Sequence, residues 1–112
     1  MFNLFKKKPT NFQHIDFEEF SQLKGRPDHV VLDVRSPGEV AAGAIPGHRA
    51  INVSDASFRD KVSRLDKSRT YLVYCRSGMR SAKACRIMAE LGFGKLYNFK
   101  GGIMAWNAHA NR

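Results

Sequence analysis

The stretch that most constrains this chain is Tyr71-Leu72-Val73-Tyr74-Cys75-Arg76-Ser77-Gly78-Met79-Arg80-Ser81. An apolar β-type run stops at a cysteine. A short polar loop with one glycine follows, and a helical pattern then begins with Ala82, Ala84, Ile87, Met88 and Leu91. A strand–loop–helix turn of this kind aims backbone N–H groups, and the positive end of the helix dipole, at whatever sits at its centre. Cys75 is the first loop residue, so its sulfur stands at the rim of an anion-binding nest. Arg76 and Arg80 add full charges, and such a setting lowers a thiol pKa from about 8.5 toward neutrality. Gly78 supplies the one residue free to take positive φ. A cysteine at a strand end is commonly a buried small hydrophobe. The carboxyl-end position of Cys75 and the charged, hydroxylic residues after it point instead to a reactive thiolate.

The rest of the chain supplies elements to surround this turn. His14-Ile15 is a brief extended start. Asp16 to Leu23 reads as a helix with Phe17, Phe20 and Leu23 on one side, Asp16 as cap and Glu19 closing a capping box. Val30 to Val34 is a β-branched apolar run, the pattern of a strand covered on both faces. Asp33 inside it is costly unless paired. Arg35 is near in sequence, but residues this close along a strand are not expected to meet. Ser36, Pro37 and Glu39 open a second helix with N-cap, N1 proline and capping box. Residues 43–47 turn around Pro46, Ala50 to Val53 is a short strand, and Ser54 to Leu65 is a helix with Phe58, Val62 and Leu65 inward. After the cysteine turn come a break at Gly92-Phe93-Gly94, a strand at Leu96 to Phe99, and a last helix from Ile103 to His109 behind Gly101-Gly102. Five strands alternating with helices predict βαβ crossovers and a mostly parallel α/β sheet with helices on both faces. The carboxyl edge of that sheet gathers Cys75, Asp33, Arg35, the Ser54 region and the Gly101-Gly102 turn.

A length of 112 residues suits one domain, and 43% hydrophobic content is ordinary for a globular protein. Two cysteines make no disulfide framework. Cys85 lies about 9 Å along the helix from a start near Met79, too far for a bridge to Cys75. A reducing compartment, the cytoplasm, is the expected location. No apolar run reaches a membrane span, and none reads as a signal peptide. The net charge of +9 favours anionic partners through long-range attraction. The 19 lysines and arginines are scattered without a stacking-aromatic platform, so nucleic acid is not expected. Residues 1–12 read as a flexible basic tail. Its Met1 to Phe5 patch and Lys6-Lys7-Lys8 are too weak an anchor to predict membrane contact. No His or Cys spacing predicts a metal site, and no cofactor is called for.

Four separated pieces of the chain resemble the single-domain rhodanese family of thiosulfate:acceptor sulfurtransferases. Leu32-Asp33-Val34-Arg35 with Pro37 and Glu39 is similar to the family's D-V-R…E segment. Gly43-Ala44-Ile45-Pro46-Gly47 with Ala50-Ile51-Asn52 is similar to its G-H-I-x-G-A-x-N segment. Tyr74 to Ser81 resembles its active-site loop, and Gly101-Gly102-Ile103-Met104-Ala105-Trp106 its closing G-G-x-x-x-W. The resemblance implies a rhodanese-like domain over residues 13–112, with a five-stranded sheet. It implies that Cys75 takes a sulfane sulfur from a small anionic donor such as thiosulfate. The persulfide formed there passes the sulfur to cyanide, a thiol or a protein. Arg76, Ser77, Gly78, Met79 and Arg80 are then donor-binding, and Asp33, Arg35 and Ser81 supporting, with Asp33 and Arg35 in a fold-maintaining network. Trp106 is expected as a core anchor and Cys85 as a packed helix residue. Ala44 stands at the family's histidine position and His48 where a small residue is usual, which puts the packing of that turn in question.

Two other functions fit the same architecture: a persulfide carrier or partner-binding module, and a cysteine phosphatase or arsenate reductase. Loop length argues against the last. Four residues, Arg76 to Met79, separate Cys75 from Arg80. Cysteine phosphatases place one more there and usually carry histidine where this chain has Tyr74. A shorter loop draws the amides inward around one sulfur atom, and it offers no general acid for a leaving oxygen.

Overall fold

The structure, a computed structural model, describes residues 11–110; the basic patch at residues 1–9 lies outside them. Five strands, β1 (Gln13–Ile15), β2 (His29–Asp33), β3 (Arg49–Ala50), β4 (Thr70–Tyr74) and β5 (Leu96–Phe99), form one sheet in the order β1-β5-β4-β2-β3, with every pair parallel. Five helices connect and follow them: α1 (Phe17–Leu23), α2 (Pro37–Ala42), α3 (Phe58–Val62), α4 (Met79–Glu90) and α5 (Gly102–Ala110). The chain leaves β2 toward β3 and leaves β4 toward β5. The carboxyl ends of β2 and β4 therefore flank the point where the winding reverses, the place where open α/β sheets leave a crevice.

Strand alternation divides the core in two. Tyr71 and Val73 join Leu32 and Val34 under Phe58 and Val62 of α3 and Ala84, Cys85 and Met88 of α4. Leu72 and Tyr74 join Val31, Ile15 and Phe99 on the other face, under Phe20 of α1, with Ile103 and Trp106 of α5 packed against them. All five residues of β4 are buried, as expected of a central strand covered on both sides. Trp106 is half-buried, edge-on to Phe20 and tilted against Phe17. Both anticipated capping boxes form, Asp16 with Glu19 and Ser36 with Glu39.

Two elements differ most from expectation. β3 spans Arg49–Ala50 rather than Ala50 to Val53, although Ile51 N and Val53 N still donate to Asp33 O and Val34 O. Helix α3 begins at Phe58, because Asp55 Oδ1 accepts from both Ser57 N and Ser57 Oγ and holds the preceding residues in a turn. Ser54 is exposed, with its own N–H on Asn52 Oδ1. His48 is absorbed by its turn: His48 N donates to Ile45 O, and the ring Nδ1 lies 3.0 Å from the same oxygen.

Arg35 and Asp33 do meet. The strand ends at Asp33, so the chain bends and the Arg35 guanidinium folds back, Nη2 on Asp33 Oδ2 at 2.7 Å and Nε on Oδ1 at 3.0 Å. Nη2 also donates to Gly43 O at 2.7 Å. Tyr74, paired with Asp33 across β2 and β4, donates its hydroxyl to Asp33 Oδ2 and accepts from Ile45 N. Burial, and then the bond to Asp33, push the Tyr74 phenol well above its ordinary value. Removing that hydroxyl orphans Ile45 N and one lone pair of a fully buried carboxylate. Tyr74→Phe is therefore expected to cost about 1–3 kcal/mol in urea unfolding. Tyr71→Phe, which loses one bond to Asp66 O in a turn, should cost about 1 kcal/mol or less. Equal losses would show that the Asp33 network does not discriminate between them.

Candidate active site

Cys75 follows the last residue of β4, and its side chain is 2% exposed. Its Sγ accepts from Gly78 N at 3.1 Å and from Ser81 Oγ at 3.3 Å. Burial pushes the thiol up; the Ser81 hydroxyl, with the backbone N–H groups of Ser81, Gly78 and Ser77, outweighs it and brings Cys75 below the ordinary cysteine value. The lowering comes chiefly from short N–H and O–H dipoles, with the Arg80 charge acting on Cys75 beside them. Cys85, fully buried on α4 without such donors, is pushed up to about 12 by burial. Both are free thiols.

The loop has this shape because its carbonyls are held from outside. Cys75 O accepts from Ile103 N at 2.9 Å and Arg76 O from Met104 N at 3.3 Å. These donors belong to the first turn of α5, where backbone N–H groups have no partner within the helix. In a trans peptide the C=O and N–H point opposite ways. Anchoring the carbonyls of Cys75 and Arg76 therefore turns the N–H groups of Arg76 and Ser77 away from α5, toward the loop's interior. The approach is too close for a side chain at Gly102. A Cβ there would stand 2.4 Å from Arg76 O and 2.5 Å from Cys75 O. Gly78, at φ +107°, caps α4 without a side chain, and a Cβ there would meet Lys100 O at 2.5 Å. The Gly101-Gly102 turn thus clamps the loop from the β5 side.

The two loop arginines differ. Arg76 is exposed and, among the described residues, its side chain makes no hydrogen bond or ion pair. Arg80 is engaged: Nη1 and Nη2 grip Glu39 Oε1 and Oε2 at 2.7 and 2.9 Å, tying α4 to α2. The same carboxylate closes the Ser36 capping box. Asp33 and Arg35 lie at the neighbouring strand end and reach the cysteine only through Tyr74, the residue before it. Ser77 and Met79 are exposed at the loop surface, Met79 to 83%. Among the described residues no group of His, Cys, Asp and Glu could hold a metal ion, and no helix is long and apolar enough to cross a membrane.

A family model of the rhodanese-like domain matches residues 16–109. The chain belongs to this family. It is similar to a sulfurtransferase of Allochromatium vinosum, 38% identical over 96 residues, covering 85% of this chain and 88% of that protein. It is also similar to the thiosulfate sulfurtransferase GlpE of Pseudoalteromonas translucida, 32% identical over 97 residues and covering 87% and 90%. A tRNA uridine(34) hydroxylase of Cytophaga hutchinsonii is 36% identical over 99 residues, but this chain spans only 31% of it. Among solved structures, a rhodanese-related protein of Thermoplasma volcanium superposes with a TM-score of 0.75 at 30% identity, covering 87% of this chain and 92% of that one.

Sequence reasoning passed over two residues of this rhodanese-like site. Glu39 enters the sequence reading as a cap and as the last residue of the D-V-R…E resemblance, and nothing local announces a partner 41 positions on. Asn98 was read only as part of β5, yet a polar residue in a buried strand is itself a signal.

The Arg80 bonds, opposed by partial burial and helped by Ser36, bring Glu39 from 4.5 to about 2. A carboxylate lowered on folding stabilises above its unfolded value, and that contribution is lost as pH falls through the folded one. Wild type should therefore exceed Glu39→Gln in thermal stability at pH 7. The gap should close between about pH 4.5 and pH 2, seen as converging melting temperatures. A gap that persists unchanged at pH 2 would show that the pair is not the source.

Proposed function

We propose that this protein is a sulfurtransferase that carries a sulfane sulfur on Cys75. The observation that carries this reading is the convergence of Gly78 N–H and the Ser81 hydroxyl on a buried Cys75 sulfur with its thiol lowered. In the proposed cycle the thiolate attacks the outer sulfur of thiosulfate. The S–S bond of the donor breaks, sulfite leaves with the bonding pair, and Cys75 becomes a persulfide. Charge balances, because thiolate and persulfide each carry one negative charge. A thiophilic acceptor (cyanide, a thiol or a cysteine of a partner protein) then takes the terminal sulfur and restores the thiolate. The inward N–H groups of the loop serve both anions without moving. Thiosulfate as donor is supported by the similarity to GlpE.

Arg76 is the loop's free cation and is assigned to the oxyanion end of the donor. Arg80, gripped by Glu39, holds the loop to α2. Ser81 supports the sulfur directly, and Asp33 and Arg35 support the strand end beneath it. The cytoplasm, where thiols stay reduced, is the proposed location.

Thiosulfate should add the mass of one sulfur atom to the protein, mapping to Cys75. Cys75→Ser should abolish adduct and turnover, while Cys85→Ser keeps both. Arg76→Ala should raise the KM for thiosulfate about fivefold, the ~1 kcal/mol of a charge pair in water, and the wild-type kcat/KM should fall as salt rises. Absence of any thiosulfate adduct, together with Cys75-dependent hydrolysis of p-nitrophenyl phosphate, would sink this reading in favour of a phosphatase.

A further inference from the structure

Among the described residues, Asn98 is the one buried polar residue near the loop for which the cycle above has no use. It sits on β5 opposite Val73 of β4, 1% exposed. Its Nδ2 lies 3.2 Å from Gly78 O and 3.1 Å from His14 Nδ1. A carbonyl can only accept, so the Asn98 atom facing Gly78 O must be the N–H₂ end. The His14 nitrogen it also meets therefore accepts, which leaves that ring's proton on Nε2. This orientation leaves Oδ1 buried and, among the described residues, without a partner.

A buried orphan acceptor is unfavourable to the fold, and a leucine would fill the same space without one. Stability alone gives no reason for an amide here. The loop does. Gly78 O belongs to the Gly78–Met79 peptide, the last before α4 begins. Gly78 has positive φ and no side chain of its own to order it. Gly78 O takes one bond from Ala82 N of the helix, and Asn98 supplies the second. Gly78 N–H is itself a donor to the sulfur, at 3.1 Å, so holding the carbonyl of the same residue fixes that donor in place.

We propose that Asn98 is a positioning residue for the sulfur cradle: its amide, lodged between Gly78 O and His14 Nδ1, fixes the peptide at the helix entrance so that the loop's N–H groups stay aimed at Cys75. The proposal rests on Cys75 being the reacting sulfur. The charged and titratable groups around the thiol keep their partners when Asn98 is replaced: Arg80 with Glu39, the Asp33–Arg35 pair, Cys85 on α4 and the exposed Arg76. His14 on β1 alone loses a bond, and it is exposed.

The test is the pH dependence of iodoacetamide alkylation, followed by mass spectrometry on the peptide that contains Cys75. It needs no sulfur transfer, so it stands even if the thiosulfate reading fails. Asn98→Leu should melt no lower than wild type, yet its alkylation midpoint should rise by about half a pH unit, roughly a threefold slower reaction below the midpoint. Asn98→Asp keeps the shape but sets a carboxylate against Gly78 O, and its midpoint should rise further. A folded Asn98→Leu with the wild-type profile overturns the proposal. If the leucine variant fails to fold, the aspartate profile decides. If neither variant folds, Asn98 is a packing group and the proposal falls.

Discussion

A sulfur anion buried at the end of a β-strand needs donors on several sides, and a backbone can supply them only if its carbonyls are taken elsewhere. Everything near Cys75 follows from that requirement. Each loop carbonyl drawn outward sends an N–H inward, and the partners that draw them out come from β5 and α5. Ile103 and Met104 use the otherwise unpaired N–H groups of a helix start, and the Asn98 amide takes Gly78 O. The two glycines at positive φ, Gly78 and Gly102, are where these segments touch. A side chain at either would force the clamp open before it altered any chemistry.

The second layer is charge kept in pairs. Asp33 is fully buried and would be prohibitive alone. It receives Arg35 from one side and the Tyr74 hydroxyl from the other, so that strand end, neighbouring strand and the 43–48 turn share one network. Glu39 and Arg80 form the matching clasp between α2 and α4. With both pairs closed, the large net positive charge does not appear at the cysteine as free cations except at Arg76. The attraction of the whole surface brings an anion near; the last few ångströms belong to the loop.

How far this was legible depended on distance along the chain. Local rules located both capping boxes, because a cap and its acidic partner are three residues apart. The β4 turn was legible because strand, cysteine, glycine and helix follow in one stretch. The misjudgements arose where competing local bonds or distant partners decide. Ser54 was read as a helix start, but the Asp55 carboxylate captured Ser57 first. Arg35 was read as pointing away from Asp33, but the strand ends one residue earlier than Val34. Arg80 is expected from the sequence to bind the donor, and only the folded chain brings Glu39 to it. Asn98 could have been flagged from its place in an apolar strand, but which carbonyl it serves is a tertiary fact.

The choice of dipoles over full charges at the sulfur suits the chemistry proposed for it. Thiolate and persulfide carry the same charge and differ by one sulfur atom in reach. A cation directly on Cys75 would stabilise the compact thiolate more than the longer persulfide, because its attraction falls with distance from a single point. The N–H groups of Ser77, Gly78 and Ser81, with the Ser81 hydroxyl, present a broader positive surface, over which the charge can move outward with the added sulfur and lose little. Such a surface needs no reorganisation between the two halves of the cycle, provided its peptides cannot rotate. Rigidity at the loop's rim is therefore part of the chemistry, and the β5–α5 clamp supplies it.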